Sequence, residues 1–189
     1  DQHLPSNPYS ASKAAQEDIA FAYWRTYDIP LAITNTMNII GETQDPEKFM
    51  PMTIKRVLAG EEMSIHASPT GEIGSRFYLH ARNQADGLLH VLSQPFPKYG
   101  EVLMPERFHI VGEREVDNLE MAQMIADAVG KPLNYRLEDF HSSRPGHDLR
   151  YALDGKKIND TGWKLPIPLE ESIRKTVEWT LAHPEWLNL

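Results

Sequence analysis

The 189-residue sequence contains no cysteine, which excludes disulfides, thiolate metal ligands and cysteine nucleophiles. It has no apolar run near the eighteen or so residues that a helical membrane span requires. The 8 histidines fall in no pattern such as His-x-x-x-His with a carboxylate partner, so no metal site is expected. Glycine is sparse: the 11 present are scattered, and no Gly-x-Gly-x-x-Gly or Gly-x-x-Gly-x-x-Gly turn follows a strand. Positive charge is short as well, with 19 Lys and Arg against 27 Asp and Glu and a net charge of -8. That balance argues against a general nucleic-acid or anionic-membrane binder, and any phosphate must be held by a few placed cations.

What is present is ordinary globular material, 41% hydrophobic and 24% charged, sufficient for one domain or one and a half. Its front carries Asn7-Pro8-Tyr9-Ser10-Ala11-Ser12-Lys13. Asn7 suits an N-cap and Pro8 the first helical position, which predicts a helix over 8–27 with Tyr9 and Lys13 on one face. A phenol of ordinary pKa near 10 is a weak acid–base group at neutral pH, but a fixed ammonium beside it favours the phenolate. From these residues alone, a surface lysine near a half-buried tyrosine accounts for the spacing as well as a proton-transfer pair does. Ala11, Ala14, Ala15, Ile19, Ala22 and Tyr23 are assigned to the packed side of this helix.

Asp28-Ile29-Pro30 breaks the helix, and 31–35 reads as a buried parallel strand whose following loop lies where open α/β sheets bind ligands. A helix over 51–59 is closed by Gly60, and a short strand covers 63–67. Asn83 is the expected cap of a helix over 83–92 with Ala85, Leu88, Leu89 and Leu92 as its core side. Residues 107–112 read as a strand, Asp117-Asn118-Leu119-Glu120 as a capping box opening a helix that Gly130 closes, and 133–137 as an edge strand. Asp154 caps a short helix, and Pro168 opens a last one with the stripe Leu169, Ile173, Val177 and Leu181. The alternation of strands and helices is that of an α/β protein.

Five stretches occur in an order that carries a family likeness. They are Pro8-Tyr9-Ser10-Ala11-Ser12-Lys13-Ala14-Ala15; Thr34-Asn35-Thr36-Met37-Asn38 with Gly41; Pro46-Glu47-Lys48-Phe49-Met50-Pro51; the segment from Arg144-Pro145-Gly146-His147-Asp148 to Asp154; and Gly162-Trp163-Lys164 followed by Arg174 to Trp179. On these the chain resembles, over nearly its whole length, the extended short-chain dehydrogenase/reductase family and its NAD-dependent nucleotide-sugar epimerases and dehydratases. The resemblance implies the C-terminal part of a doubly wound Rossmann-like fold with a mixed α/β substrate-binding subdomain. Residues 1–45 would carry the last part of the sheet and 46–189 mainly the subdomain, with a return strand to the sheet. Because the glycine-rich turn is not in the sequence and residues 1–6 read as a loop tail, the chain is expected to be a C-terminal half. The NAD-binding N-terminal half is then a missing partner, and this half alone is expected to be inactive.

The resemblance further implies Tyr9 and Lys13 as catalytic residues, Tyr9, Lys13 and Ile39 as contacts to NAD, and a nucleoside-diphosphate sugar as substrate. Asn38, Lys48, Phe49, His66, Arg76, Asn118, Arg144 and His147 would hold that sugar nucleotide. An arginine suits the diphosphate because its planar fork meets two oxygens at once. The chain departs from the family at Ile39 and Ile40, where Asn and Tyr are usual, at His66, where an aromatic ring stacks on the base, and at Asn83, in place of Asp. A homodimer through the Tyr-x-x-x-Lys helix and a cytoplasmic location complete the expectation. The alternative is a non-catalytic sugar-nucleotide-binding or dimerisation module.

Overall fold

The structure is a computed structural model that describes residues 4–139 and 149–187. Helix α1, Pro8–Tyr27, begins as its sequence dictates: Asn7 Oδ1 accepts from the Ser10 amide at 2.9 Å, and Pro8 occupies the first turn, where no backbone donor is needed. It ends where Asp28 enters the left-handed region at φ 53°, and Pro30 prevents its resumption. Strand β1, Ala32–Thr36, then runs parallel to β6, Glu106–Ile110. Successive residues of a strand face opposite ways, and β1 shows it: Asn35 Nδ2 donates to Glu17 on α1 at 2.8 Å. Its neighbour Thr36 donates instead to Gln84 of α3, Ala81–Leu92, at 2.7 Å. Helices therefore cover both faces of the parallel pair, the arrangement that parallel strands require.

Among the described residues three further small sheets complete the strand content. Strand β2, Ile39–Ile40, pairs in parallel with β5, Leu79–His80, and β3, Met63–Ala67, pairs in parallel with β8, Tyr135–Asp139. Strand β4, Ser75–Arg76, lies between antiparallel β7, Val116–Asp117, and parallel β9, Arg150–Tyr151. Helices α2, Phe49–Ala59, α4, Asn118–Val129, and α6, Leu169–Ala182, pack together with Ile54, Met121, Ile125, Ile173 and Val177 as buried contacts. A second core joins α3 and α5, Lys156–Asp160, to the β1–β6 pair through Val91, Phe108, Ile110, Ile158 and Trp163.

Local chemistry places most helix ends as expected. Asp117 Oδ1 accepts from the Glu120 amide at 2.7 Å, and left-handed Gly60 and Gly130 close α2 and α4. Asp154 caps α5 through the Lys156 amide at 2.8 Å, and Leu169, Ile173 and Val177 are buried on α6, while Leu181 is exposed.

On two helices the face that meets the sheet is not the one marked from the sequence, and on α1 the marked side is the one assigned to a second copy of the chain. On α1 the buried residue is Trp24, whose Nε1 donates to the Pro97 carbonyl at 3.1 Å and whose ring meets Tyr99 edge-on. Glu17 holds the same side to the sheet by receiving Arg107 as well as Asn35, whereas Ala11, Ala15, Ile19, Ala22 and Tyr23 are exposed. On α3, Ala85, Leu88, Leu89 and Leu92 are exposed, and the helix approaches the sheet through Asn83, Gly87 and Val91. A Cβ on Gly87 would lie 2.8 Å from Ile110 Cγ2, so a glycine permits the contact that larger residues would block. Asn83 does not cap α3. It is buried with Nδ2 donating to the Ile167 carbonyl at 2.8 Å, and the cap is His80, whose Nδ1 accepts from the Arg82 amide at 3.0 Å. Burial holds the His80 imidazole below its ordinary pKa against the opposing pull of Glu42, which keeps the capping nitrogen free of a proton.

Candidate functional site

One open cleft of about 820 Å³ runs along α1, β1 and the strand end that carries Arg76. Tyr9 and Lys13 line it from the first two turns of α1, with the Lys13 ammonium 5.5 Å from the centre of the Tyr9 ring. Lys13 Nζ also donates to Gln16 Oε1 at 3.4 Å, and Tyr9 is 70% exposed. The i, i+4 spacing thus delivers the predicted juxtaposition of phenol and ammonium on a surface facing the cleft. Along the opposite wall run Thr34, Asn35 and Asn38, then Arg76 and Tyr151, which are register partners on β4 and β9. Asn38 is fixed there because its carbonyl accepts from the Leu79 amide at 3.0 Å.

Arg76 links the cleft to a second group of side chains. Its Nη1 donates to the Leu149 carbonyl at 2.9 Å and to its neighbour's carbonyl, Ser75 O, at 2.6 Å. Gly74 sits beneath: a Cβ there would lie 3.1 Å from Leu149 O, 3.5 Å from Asn118 Nδ2 and 3.8 Å from Arg76 Nη1. Asn118, the first residue of α4, is thereby brought beside Arg76. Its Oδ1 accepts from the Tyr78 hydroxyl at 2.7 Å, and the Tyr78 ring stacks on Phe49 with centroids 6.3 Å apart. Burial pushes the Tyr78 phenol up to about 12, with Arg76 opposing, so it keeps its proton and acts as a donor. Glu115 ties the strands together, accepting from Ser75 Oγ at 2.5 Å and from the Arg150 fork at 2.8 Å twice. These partners hold its carboxyl below the usual range, Arg150 first.

Of the residues singled out from the sequence, the structure brings Tyr9, Lys13, Asn38 and Arg76 to one cleft and sets Asn118 near Arg76 over Gly74, whereas Phe49 stacks on Tyr78 and packs against the core outside the cleft lining. Lys48 precedes α2, next to Phe49, without a side-chain capping hydrogen bond, and is exposed. His66 projects outward from β3 and does not line the cleft. Ile39 packs into the core between β1 and α3, with its carbonyl taken by Gln44 Nε2 at 3.0 Å, and is likewise outside the lining. Arg144 and His147 lie outside the described residues. Tyr78 and Glu115 were missed. Each acts through a residue about forty positions away, so no local spacing marks it. Among the described residues there is no cluster of metal-ligating side chains and no helix long and apolar enough to cross a membrane.

Parallel strands sheathed by helices, a Tyr-x-x-x-Lys helix on a cleft and an arginine at a strand end are features of the Rossmann-like class of short-chain dehydrogenase/reductases. A family model described as GDP-mannose 4,6 dehydratase matches residues 1–176, and the chain belongs to that family. It is 37% identical over 192 residues to dTDP-glucose 4,6-dehydratase of Salmonella typhimurium, which covers 98% of this chain and 50% of that protein. Among solved structures it resembles dTDP-glucose 4,6-dehydratase of Bacillus anthracis in complex with NAD, at TM-score 0.80 and 28% identity, over 98% of this chain and 55% of that one. The enzyme of the same name from Streptomyces venezuelae, solved with NAD bound, gives TM-score 0.79 and 29% identity over 97% and 53%. The chain thus spans about half the length of these relatives. The likeness read from five short stretches, which within the family leaned toward dTDP-glucose 4,6-dehydratase, agrees with these matches.

Proposed function

We propose that this chain supplies the acid–base pair and the diphosphate clamp of an NAD-dependent nucleotide-sugar dehydratase or epimerase acting on a nucleoside-diphosphate hexose such as dTDP-glucose. The observation that carries the reading is the convergence of Tyr9, Lys13 and Arg76 on one cleft large enough for a sugar nucleotide. Arg76 meets phosphate oxygens with its guanidinium and Asn118 donates from the start of α4, while Arg144 and His147, outside the described residues, are assigned to the same diphosphate by the family resemblance alone. Asn38 orients the sugar, and Lys48 and Phe49 border the nucleotide with His66 toward the base. Tyr9 takes the proton from a sugar hydroxyl at its phenolic oxygen, while Lys13 presents positive charge to that oxygen and to a ribose.

NAD, when bound, accepts hydride from the same carbon. The residues present fit its ribose end: the Lys13 ammonium shares the cleft with Asn35, whose Oδ1 is buried without a hydrogen-bond partner among the described residues and would receive a hydroxyl. Ile39 would contribute backbone contact only. The remaining NAD site falls to a partner half along the other edge of β1. A second copy of the chain is the proposed occupant of the outer face of α1, where Ile19, Tyr23 and Tyr27 stand exposed. Sedimentation equilibrium should then show a dimer that Tyr23→Arg converts to monomer, and a monomeric parent chain would remove the dimer from the proposal.

The test of the clamp is calorimetric titration of the chain with dTDP. Arg76→Met should weaken binding by about 10- to 100-fold, since hydrogen bonds to charged groups contribute roughly 1.5–3 kcal/mol. Arg76→Lys should fall between, because an ammonium keeps the charge and loses the fork. No binding by the parent chain, or equal binding by Arg76→Met, would refute the clamp. Binding of dTDP without any response to NAD, even with the partner half supplied, would favour a non-catalytic sugar-nucleotide module. The high exposure of Tyr9 makes that second reading worth testing.

A further inference from the structure

We infer that Tyr78 is a positioning residue that sets the orientation of the Asn118 carboxamide, so that its NH2 group and not its carbonyl faces the bound diphosphate beside Arg76. The inference rests on the diphosphate-clamp reading above. A carboxamide has two nearly equivalent ends, and a rotation of half a turn exchanges a double donor for an acceptor. Which end meets an anion therefore has to be fixed by a partner at the other end. Tyr78 is that partner: its buried hydroxyl donates to Asn118 Oδ1 at 2.7 Å, and a neutral phenol, which can accept as well, is the stronger as a donor.

The rest of the surroundings agree with the direction. Asn118 Nδ2 meets no acceptor among the described residues and lies over Gly74 on the same side as Arg76 Nη1. The NH2 group of Asn118 is thus turned to the side of Arg76, whose Nη1 is held by the Ser75 and Leu149 carbonyls, while the acceptor end is spent on Tyr78. The Tyr78 ring is itself held: Phe49 stacks on it, and its carbonyl abuts Gly112, where a Cβ would come within 2.0 Å. Replacing the hydroxyl alone leaves these contacts and frees the carboxamide to turn its oxygen toward the anion, where it repels.

The test is a double-mutant cycle read by dTDP titration of the whole chain, with thermal melting to confirm that each variant is folded. Tyr78→Phe should weaken dTDP roughly tenfold, the usual scale for losing one partner of a buried hydrogen bond. Asn118→Ala should weaken it by a similar factor, and the double variant should be no worse than Asn118→Ala alone. Tyr78→Phe binding like the parent would overturn the inference and leave the clamp standing. So would losses that multiply in the double variant, because Tyr78 would then act through packing rather than through Asn118. No dTDP binding by the parent chain removes the clamp, and the role of Tyr78 falls with it.

Discussion

Gly112→Ala is expected to cost the chain about 3 kcal/mol or more in unfolding free energy, at the upper end of what overpacking does. The reason is the nature of the obstacle. A Cβ at 112 would stand 2.0 Å from Tyr78 O, 2.9 Å from Tyr78 C and 3.2 Å from Phe77 C, all backbone atoms that no rotamer change can move. The backbone at 77–78 must shift bodily, and Arg76 and Tyr78 go with it, so dTDP affinity should fall together with stability. Gly155→Ala is the control: its new methyl would meet the Val111 side chain at 3.3 Å, a contact that can relax, and about 1 kcal/mol or less is expected. Urea unfolding of both variants checks the pair. A loss below about 1 kcal/mol for Gly112→Ala would mean that the segment after β6 does not approach Tyr78 as closely as the structure shows.

The two glycines illustrate what a sequence conceals. Where structure is decided by a residue and its nearest neighbours, the reading succeeded. Asn7, Asp117 and Asp154 cap their helices because a short side-chain oxygen reaches amides two or three residues on. Gly60 and Gly130 end theirs by taking a conformation that costs other residues energy. Where structure is decided by a distant partner, the reading failed. Helix α1 has apolar residues on both sides, and periodicity cannot tell which is covered. The sheet is held partly by Glu17, which an apolar count ignores. In α3 the leucines look like a core stripe, yet Gly87 is what lets Ile110 approach, and an isolated helical glycine was the available sign of it.

The site divides in the same way. Tyr9 and Lys13 are legible because one helical turn separates them. Arg76 and Asn118 were legible only through family likeness, since their proximity is made by β4 pairing with β7 in antiparallel register. Tyr78 and Glu115 had no sign at all. A hydroxyl meeting an amide on α4 and a carboxylate bridging β4 to β9 exist only after the three short strands have assembled.

The largest functional effect should come from the smallest change at α1. If the proposed enzyme forms from this chain and an NAD-binding half, Tyr9→Phe is expected to lower kcat on dTDP-glucose by about 10²- to 10⁴-fold, the usual contribution of a positioned acid–base group. Because the ring remains and only the oxygen goes, KM should change little, and dTDP binding by the chain should not change. The helix itself is indifferent to the substitution: Tyr9 is 70% exposed, and its turn is capped by Asn7 whatever stands at position 9. Tyr23→Phe serves as the comparison, since its phenol lies on the outer face of the same helix and should leave kcat unaltered. Lys13→Met should also lower kcat, but with a rise in the NAD concentration required, because in the proposal the ammonium would serve the phenol and a ribose together. Retention of half or more of kcat by Tyr9→Phe would show that another group moves the proton. The Tyr–Lys pair would then be a surface feature of a binding module, and the cleft would keep its diphosphate clamp without the chemistry.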